Sequence, residues 1–88
     1  MSEAPWSLNF TARVKRDLRR LDRPISARVV AALERLAKEP RSDKLSKLTG
    51  RPESRLRVGD WRVLVELDEN TRTIIVKQVL PRGRVYDR

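Results

Sequence analysis

Residues 6–10, WSLNF, alternate Trp6, Leu8 and Phe10 with Ser7 and Asn9. A period of two predicts a short strand with one buried face. From Thr11 the period changes. Val14, Leu18 and Leu21 fall on one side of a helix, with Phe10 leading in, while Arg13, Lys15, Arg16, Arg19 and Arg20 take the remainder. Thr11 offers a hydroxyl for the N-cap. A second helix follows, RPISARVVAALERLAKEP, with Pro24 in its first turn and an apolar stripe of Ile25, Val29, Ala32, Leu33 and Leu36. Pro40 stops it. The short joint at Asp22–Arg23 predicts an αα-hairpin.

Residues 39–54, EPRSDKLSKLTGRPES, read as a polar loop with at most one short turn. Leu45 and Leu48 are expected to tack it onto the core.

The remaining chain reads as a β meander: RLRV (55–58), WRVLVEL (61–67) and TIIVKQVL (73–80). Gly59-Asp60 is the two-residue turn of a hairpin, since glycine accepts positive φ at low cost. Residues 68–72, DENTR, make a longer turn. The order is β-α-α-β-β-β, an α+β class with an antiparallel sheet and the helical hairpin packed on one face. At 88 residues, with no evident linker, the chain is expected to form one domain, 1–88.

The hairpin fixes where charges point. It sets Val58 opposite Trp61, Arg57 opposite Arg62, Leu56 opposite Val63 and Arg55 opposite Leu64. One face then carries Leu56, Val58, Trp61, Val63, Val65 and Leu67, with Trp61 expected in the core. The other carries Arg55, Arg57 and Arg62. Two arginines directly opposite each other repel. A solvated face whose arginines fan apart would tolerate them, whereas a bridging phosphate would remove the conflict through bidentate contacts. Continuing the register with a five-residue turn sets Leu67 opposite Thr73 and Arg62 opposite Gln78. Positions 78, 80 and 82 then share the arginine face.

Composition narrows the partner. Charged residues make up 38% of the chain and the net charge is +9, which fits a polyanion. There is no cysteine and no histidine. Disulfides, zinc sites built on those residues, and histidine acid–base chemistry are excluded, and a reducing cytoplasm is the expected compartment. No signal peptide or membrane-spanning run is present. The twelve acidic residues are scattered, against a two-metal nuclease. No metal or cofactor is expected.

KLSKLTG followed by SRLRVGDWRVLVELDENTRTIIVKQVLPRGRVY resembles the RelE/ParE superfamily of bacterial toxins across nearly the whole chain. The family pattern is a leucine-lysine-glycine loop, then R-L-R-V-G-D-[YW]-R-V, an acidic turn, a strand, and a closing [HR]-R-x-x-V-Y. The resemblance implies a RelE-like fold and a ribosome-dependent endoribonuclease that cuts mRNA in the A site and is inhibited by a cognate antitoxin. It implies functional roles for Arg55, Arg57, Arg62, Arg82 and Tyr86. Position 81, often histidine in the family, is Pro81 here.

In such a site the RNA 2′-OH is the nucleophile. Arg57 and Arg62 would hold the scissile phosphate and its developing charge, Arg82 would neutralise the leaving oxygen, and Tyr86 would stack on a base or orient the 2′-OH. Arg55, Lys44, Lys47, Arg51 and Arg84 are the expected RNA-binding cations. Arginine stays charged, so general-base work falls to Tyr86, Asp87 or ribosomal groups, and activity on free RNA should be weak. The alternatives are a ParE-like inhibitor of DNA gyrase, a protein-binding poison, and a non-catalytic nucleic-acid-binding module. Tyr86 packing on Trp6 or a helix is the structural alternative for that residue. The basic first helix suits a solvated face, an rRNA-backbone contact or an antitoxin dock, and its pattern does not choose among them.

Overall fold

The computed structural model describes residues 4–41 and 44–81. Its elements are β1 (Ser7–Phe10), α1 (Ala12–Arg20), α2 (Arg23–Lys38), β2 (Leu45–Lys47), β3 (Ser54–Val58), β4 (Trp61–Asp68) and β5 (Thr73–Pro81). The helix boundaries follow local chemistry. Thr11 is extended, and its Oγ1 accepts the Val14 N–H at 3.3 Å, capping α1. Pro24 occupies the first turn of α2, where a missing N–H costs nothing. The Glu39 N–H closes the last turn on the carbonyls of Arg35 and Leu36.

The strands form one five-stranded sheet in the order β1-β5-β4-β3-β2. It is antiparallel except at one edge, where β1 runs parallel to β5 from Ser7 opposite Thr73 to Phe10 opposite Val76. The segment expected to be a loop contributes β2. Its residues Leu45, Ser46 and Lys47 pair with Leu56, Arg55 and Ser54. Three residues flanked by Pro, Ser and Gly carry too little alternation to announce a strand, and β3 supplies the edge that organises them.

The β3–β4 register is as the sequence predicts, with Arg57 opposite Arg62 and Val58 opposite Trp61. The β4–β5 register differs at two points. Asp68, not Leu67, pairs with Thr73. The turn is tightened because the Asp68 carboxylate accepts the backbone N–H groups of Asn70 and Thr71, at 3.1 and 3.4 Å, while Arg72 takes a positive φ of 53°. Further along, Val65 pairs with Val76 but Leu64 pairs with Gln78, leaving Lys77 as a bulge. Arg62 therefore faces Leu80 rather than Gln78. The two one-residue offsets add to two, so Gln78 and Leu80 still share the face of Arg62.

One face of the sheet is sealed by the helices. Val14, Val29, Leu33, Leu36 and Ala37 pack against Leu56, Val58, Val63, Val65, Ile74, Val76 and Val79 in one core cluster. Trp61 is half-buried at its margin rather than central. No buried side-chain nitrogen or oxygen among the described residues lacks a hydrogen bond, and no described helix is long and apolar enough to cross a membrane.

One long-range contact ties α1 to the far end of β5. Thr11 N–H donates to the Val76 carbonyl at 3.2 Å, and there β1 ends. Beyond that point no strand among the described residues lies beside the outer edge of β5. Asp17 Oδ2 instead accepts the Val79 N–H at 3.2 Å. Alternation along the strand aims the Pro81 nitrogen in the same outward direction, so its lack of N–H removes no ladder bond. A hydrogen bond to a charged group contributes about 1.5–3 kcal/mol. Asp17→Ala is expected to lower the stability measured by urea denaturation by about that amount, and Asp17→Asn by less, since the amide oxygen still accepts. Equal losses in the two variants would contradict this role.

Candidate nucleic-acid interface

The open face of the sheet is organised by the β3–β4 hairpin. Gly59 takes φ of +59° and Asp60 does not take positive φ, so the strands join through two residues and their cross-strand pairs are fixed. On the β2 side, the Arg57 N–H donates to the Lys44 carbonyl at 3.4 Å. It points away from β4, so Arg57 and Arg62 form a non-hydrogen-bonded pair. That is the closer kind, with Cα atoms about 4.5 Å apart. Two permanent cations thus occupy the tightest cross-strand site available. Their side chains part: Arg57 is exposed, while Arg62 folds back over the turn and its Nη1 donates to the carbonyls of Trp61 (3.1 Å) and Gly59 (3.4 Å). Arg55 is half-buried two pairs further along, opposite Leu64.

The carboxylates of this face are held at the opposite end. Lys77, swung out by the bulge, reaches Glu66 at 2.8 Å and Glu53 at 3.4 Å, and Arg51 reaches Glu53 at 3.4 Å. Burial pushes the Glu53 carboxyl upward. Its own backbone N–H, the Lys77 hydrogen bond, and the charges of Lys77 and Arg51 outweigh that, and its pKa falls below the ordinary value. The Glu66 hydrogen bond is the largest influence on Lys77. Against the opposing effect of burial, and with Glu53, it raises the ammonium above its ordinary value. The face is therefore polarised. One end is neutralised by ion pairs and the other concentrates Arg55, Arg57 and Arg62. Leu64, buried although it faces away from the helices, lies between them with Leu80 alongside Arg62.

The other expected cations separate. Arg51 belongs to the ion-paired end. Lys47 pairs with Ser54, which pairs with Val65, so it points to the helix side of the sheet edge. Lys44 lines a groove between α2 and β3. Arg82, Arg84 and Tyr86 lie outside the described residues, and β5 is followed to Pro81, opposite Trp61. Sequence reading missed the Glu53–Lys77–Glu66 cluster. Its signal was a lone charged residue, Lys77, inside a mostly apolar strand.

A family model for the ParE toxin of type II toxin–antitoxin systems matches residues 8–86. A search of curated proteins gives no match. Among solved structures, the chain is similar to one in the RelBE2 toxin–antitoxin complex of Mycobacterium tuberculosis, with TM-score 0.80, 29% identity, and 91% of this chain and 94% of that one covered. A chain of the RelB–RelE complex from Methanococcus jannaschii matches with TM-score 0.68, 27% identity, and 90% and 95% covered. One from the archaeal RelE–RelB complex of Pyrococcus horikoshii matches with TM-score 0.80, 24% identity, and 93% and 100% covered, a likeness of fold.

The ion-paired end has a pH signature. A carboxyl with a depressed folded-state pKa stabilises the fold above its unfolded value, near 4.5, and that contribution is lost as pH falls through the lower folded value. Lys77 contributes below its ordinary value near 10.5 and loses its contribution as pH rises through the higher folded value. Lys77→Met is therefore expected to flatten the loss of stability at both the acid and the alkaline limb, followed by urea denaturation across pH. Parallel curves for the two proteins would show that the cluster stabilises nothing.

Proposed function

The chain belongs to the ParE toxin family of type II toxin–antitoxin systems, within the RelE/ParE superfamily, and from that premise we propose that this toxin is a ribosome-dependent endoribonuclease acting on mRNA in the cytoplasm. The observation that carries the reading is the close pairing of Arg57 with Arg62 on a face whose Glu53 and Glu66 are ion-paired with Lys77 and Arg51 at its other end. Such a pair is costly for a purely structural surface and suits an oxyanion that accepts from both.

In the reaction, the 2′-OH attacks the adjacent phosphorus and the P–O5′ bond breaks. The products are a 2′,3′-cyclic phosphate and a free 5′-hydroxyl. Arg57 and Arg62 bear the added charge of the pentacovalent phosphorus, Arg62 exchanging its turn carbonyls for phosphate oxygens. Arg55 holds a neighbouring phosphate. Leu64 and Leu80 form an apolar bed on which a base can rest. Arg82 neutralises the departing 5′ oxygen, and Tyr86 orients the nucleotide. The arginines stay fully protonated at neutral pH and can accept no proton, so the 2′-OH proton passes to water or to a ribosomal group, and the leaving oxygen regains a proton from the same surroundings. Catalysis then rests on positioning and electrostatics, which accounts for reliance on the ribosome. A cognate antitoxin is the natural partner, its acidic segment covering the arginine end.

The family match to a ParE toxin supports a second reading, inhibition of DNA gyrase by protein contact. One experiment separates them. Wild type, Arg62→Gln, Arg82→Ala and Tyr86→Phe are added to a translating extract, mRNA ends are mapped, and gyrase supercoiling is assayed in parallel. Codon-positioned cuts bearing cyclic phosphate are expected, reduced about 10²-fold or more in Arg62→Gln, the scale for loss of one oxyanion donor. Stalled gyrase with intact mRNA would overturn the RNase reading. Cuts unaffected by all three substitutions would overturn the residue roles.

A further inference from the structure

Helix α2 presents Arg28, Ala32, Arg35 and Glu39 along one stripe toward the outer edge of β3. Between the two lies a groove of about 500 Å³, floored by Leu36, Leu56 and Val58 and edged by Arg28, Arg35, Lys44 and Arg57. The regular β2 ladder runs only as far as Leu56, and at Arg57 the backbone of Lys44 takes over the edge through the Arg57 N–H, so Lys44 and Arg57 together border the groove there. Its cations come from three separate segments: α2, the approach to β2, and β3. Glu39 is the one carboxylate among its lining residues, one helical turn beyond Arg35.

The groove and the arginine face meet at the Gly59 turn. On the open side, Arg62 Nη1 donates to the Gly59 carbonyl. On the helix side, Arg28 Nη1 lies 3.6 Å from where a Gly59 Cβ would sit. Two guanidinium groups thus clasp the same turn from opposite faces of the sheet, and Arg57 stands on the rim common to both. Arg55, Arg57 and Arg62 on the open face and Arg28 and Arg35 on the helix side thus flank one turn, whose own carboxylate is Asp60.

Building on the RNA-cleaving reading above, we propose that the α2–β3 groove is a second phosphate-binding subsite, which holds the strand flanking the scissile phosphate as it passes around the hairpin turn. A polynucleotide carries a charge at every residue and so can satisfy a belt of cations bent around an edge. The apolar floor suits one unstacked base. An acidic protein segment is the competing occupant, and continuity with the arginine face through Arg57 and the Gly59 turn favours the nucleic acid. Arg28 and Arg35 are then binding residues, remote from bond cleavage.

The probes are 2′-O-methyl RNA oligonucleotides, a trinucleotide and a heptanucleotide of one sequence. They cannot be cut by 2′-OH attack. Wild type, Arg28→Gln/Arg35→Gln and Arg62→Gln are compared by fluorescence anisotropy over a range of salt, with thermal unfolding as the folding control. Arg28 and Arg35 are exposed, so the double variant should unfold as wild type does. Wild type should prefer the heptanucleotide. The double variant should lose roughly tenfold in heptanucleotide affinity, with a salt slope lower by about 1.4, as expected for two lost single-strand phosphate contacts. Its affinity for the trinucleotide should stay unchanged. Arg62→Gln should weaken both probes.

A double variant that binds the heptanucleotide as wild type does, while Arg62→Gln is impaired, overturns the groove proposal and leaves the cleavage site standing. Unaltered RNA binding with release of a co-expressed antitoxin assigns the groove to a protein partner and equally overturns it. If Arg62→Gln changes neither probe, the RNA-cleaving reading itself falls, and the subsite with it.

Discussion

The two-residue turn at Gly59–Asp60 is the constraint from which the rest of the sheet's chemistry follows. Side chains alternate along a strand, so a turn one residue longer would move every residue of β4 to the other face relative to β3. Val63 and Val65 would leave the helices and Glu66 would enter the core. Because Gly59 accepts positive φ, the strands join in the register that buries Val58, Val63 and Val65 against Val29, Leu33 and Leu36. The same register leaves Arg57 and Arg62 opposed on the open face. Core formation and arginine pairing are two results of one backbone geometry. The burial of seven sheet residues in the core cluster holds the like-charged pair together against its repulsion, since each buried aliphatic side chain contributes about 1.5–3 kcal/mol.

The bulge at Lys77 plays a comparable part in β5. A regular strand through residues 73–81 would keep strict alternation, and Val79 would then face away from the helices. By adding one residue, the bulge turns Val79 into the core and brings Lys77 and Gln78 together on the open side. Lys77 is thereby placed between Glu53 and Glu66. Without that lysine, Glu66 would lose its ion pair and Glu53 would keep only Arg51, leaving carboxylate charge on the arginine face to compete for its guanidinium groups. The bulge therefore serves packing on one side of the sheet and charge separation on the other. Asp17, bonded to the Val79 N–H, holds the strand where β1 no longer reaches.

Features governed by short-range periodicity were legible in the sequence. The two helices, the Thr11 cap, the β3–β4 hairpin and the opposed arginines all follow from residues a few positions apart. Features depending on distant partners were not. β2 exists because β3 offers an edge, and its own three residues hold no alternation that separates them from a loop. The shorter β4–β5 turn depends on the Asp68 carboxylate closing on Asn70 and Thr71, a contact that local composition permits without requiring. The bulge leaves no mark other than the lone Lys77. The parity of Leu80 was obtained correctly through two errors that cancelled, a four-residue turn for a five-residue one and an unforeseen bulge. Arg28 and Arg35 looked like ordinary solvated helix charges, because nothing in α2 itself says that the Gly59 turn lies against them.

A site whose phosphate-holding groups are all arginines imposes a particular kind of catalysis on the RNA-cleaving reading. Guanidinium groups remain charged across the physiological range, so they can hold a phosphate and stabilise its added charge but cannot cycle a proton. Acceleration must then come from in-line placement of the 2′-OH and from a field already in place before the reaction begins. Both depend on fixing the strand on each side of the scissile bond, which a short exposed face does poorly by itself. A cationic belt continuing past the hairpin turn would supply part of that restraint, and a large ribonucleoprotein surface the remainder. On that reading the arrangement would also limit damage to other RNA. Arginines that supply no base would leave such a site slow on any strand that arrives unpositioned, so selectivity would come from what holds the substrate rather than from how strongly the face attracts it.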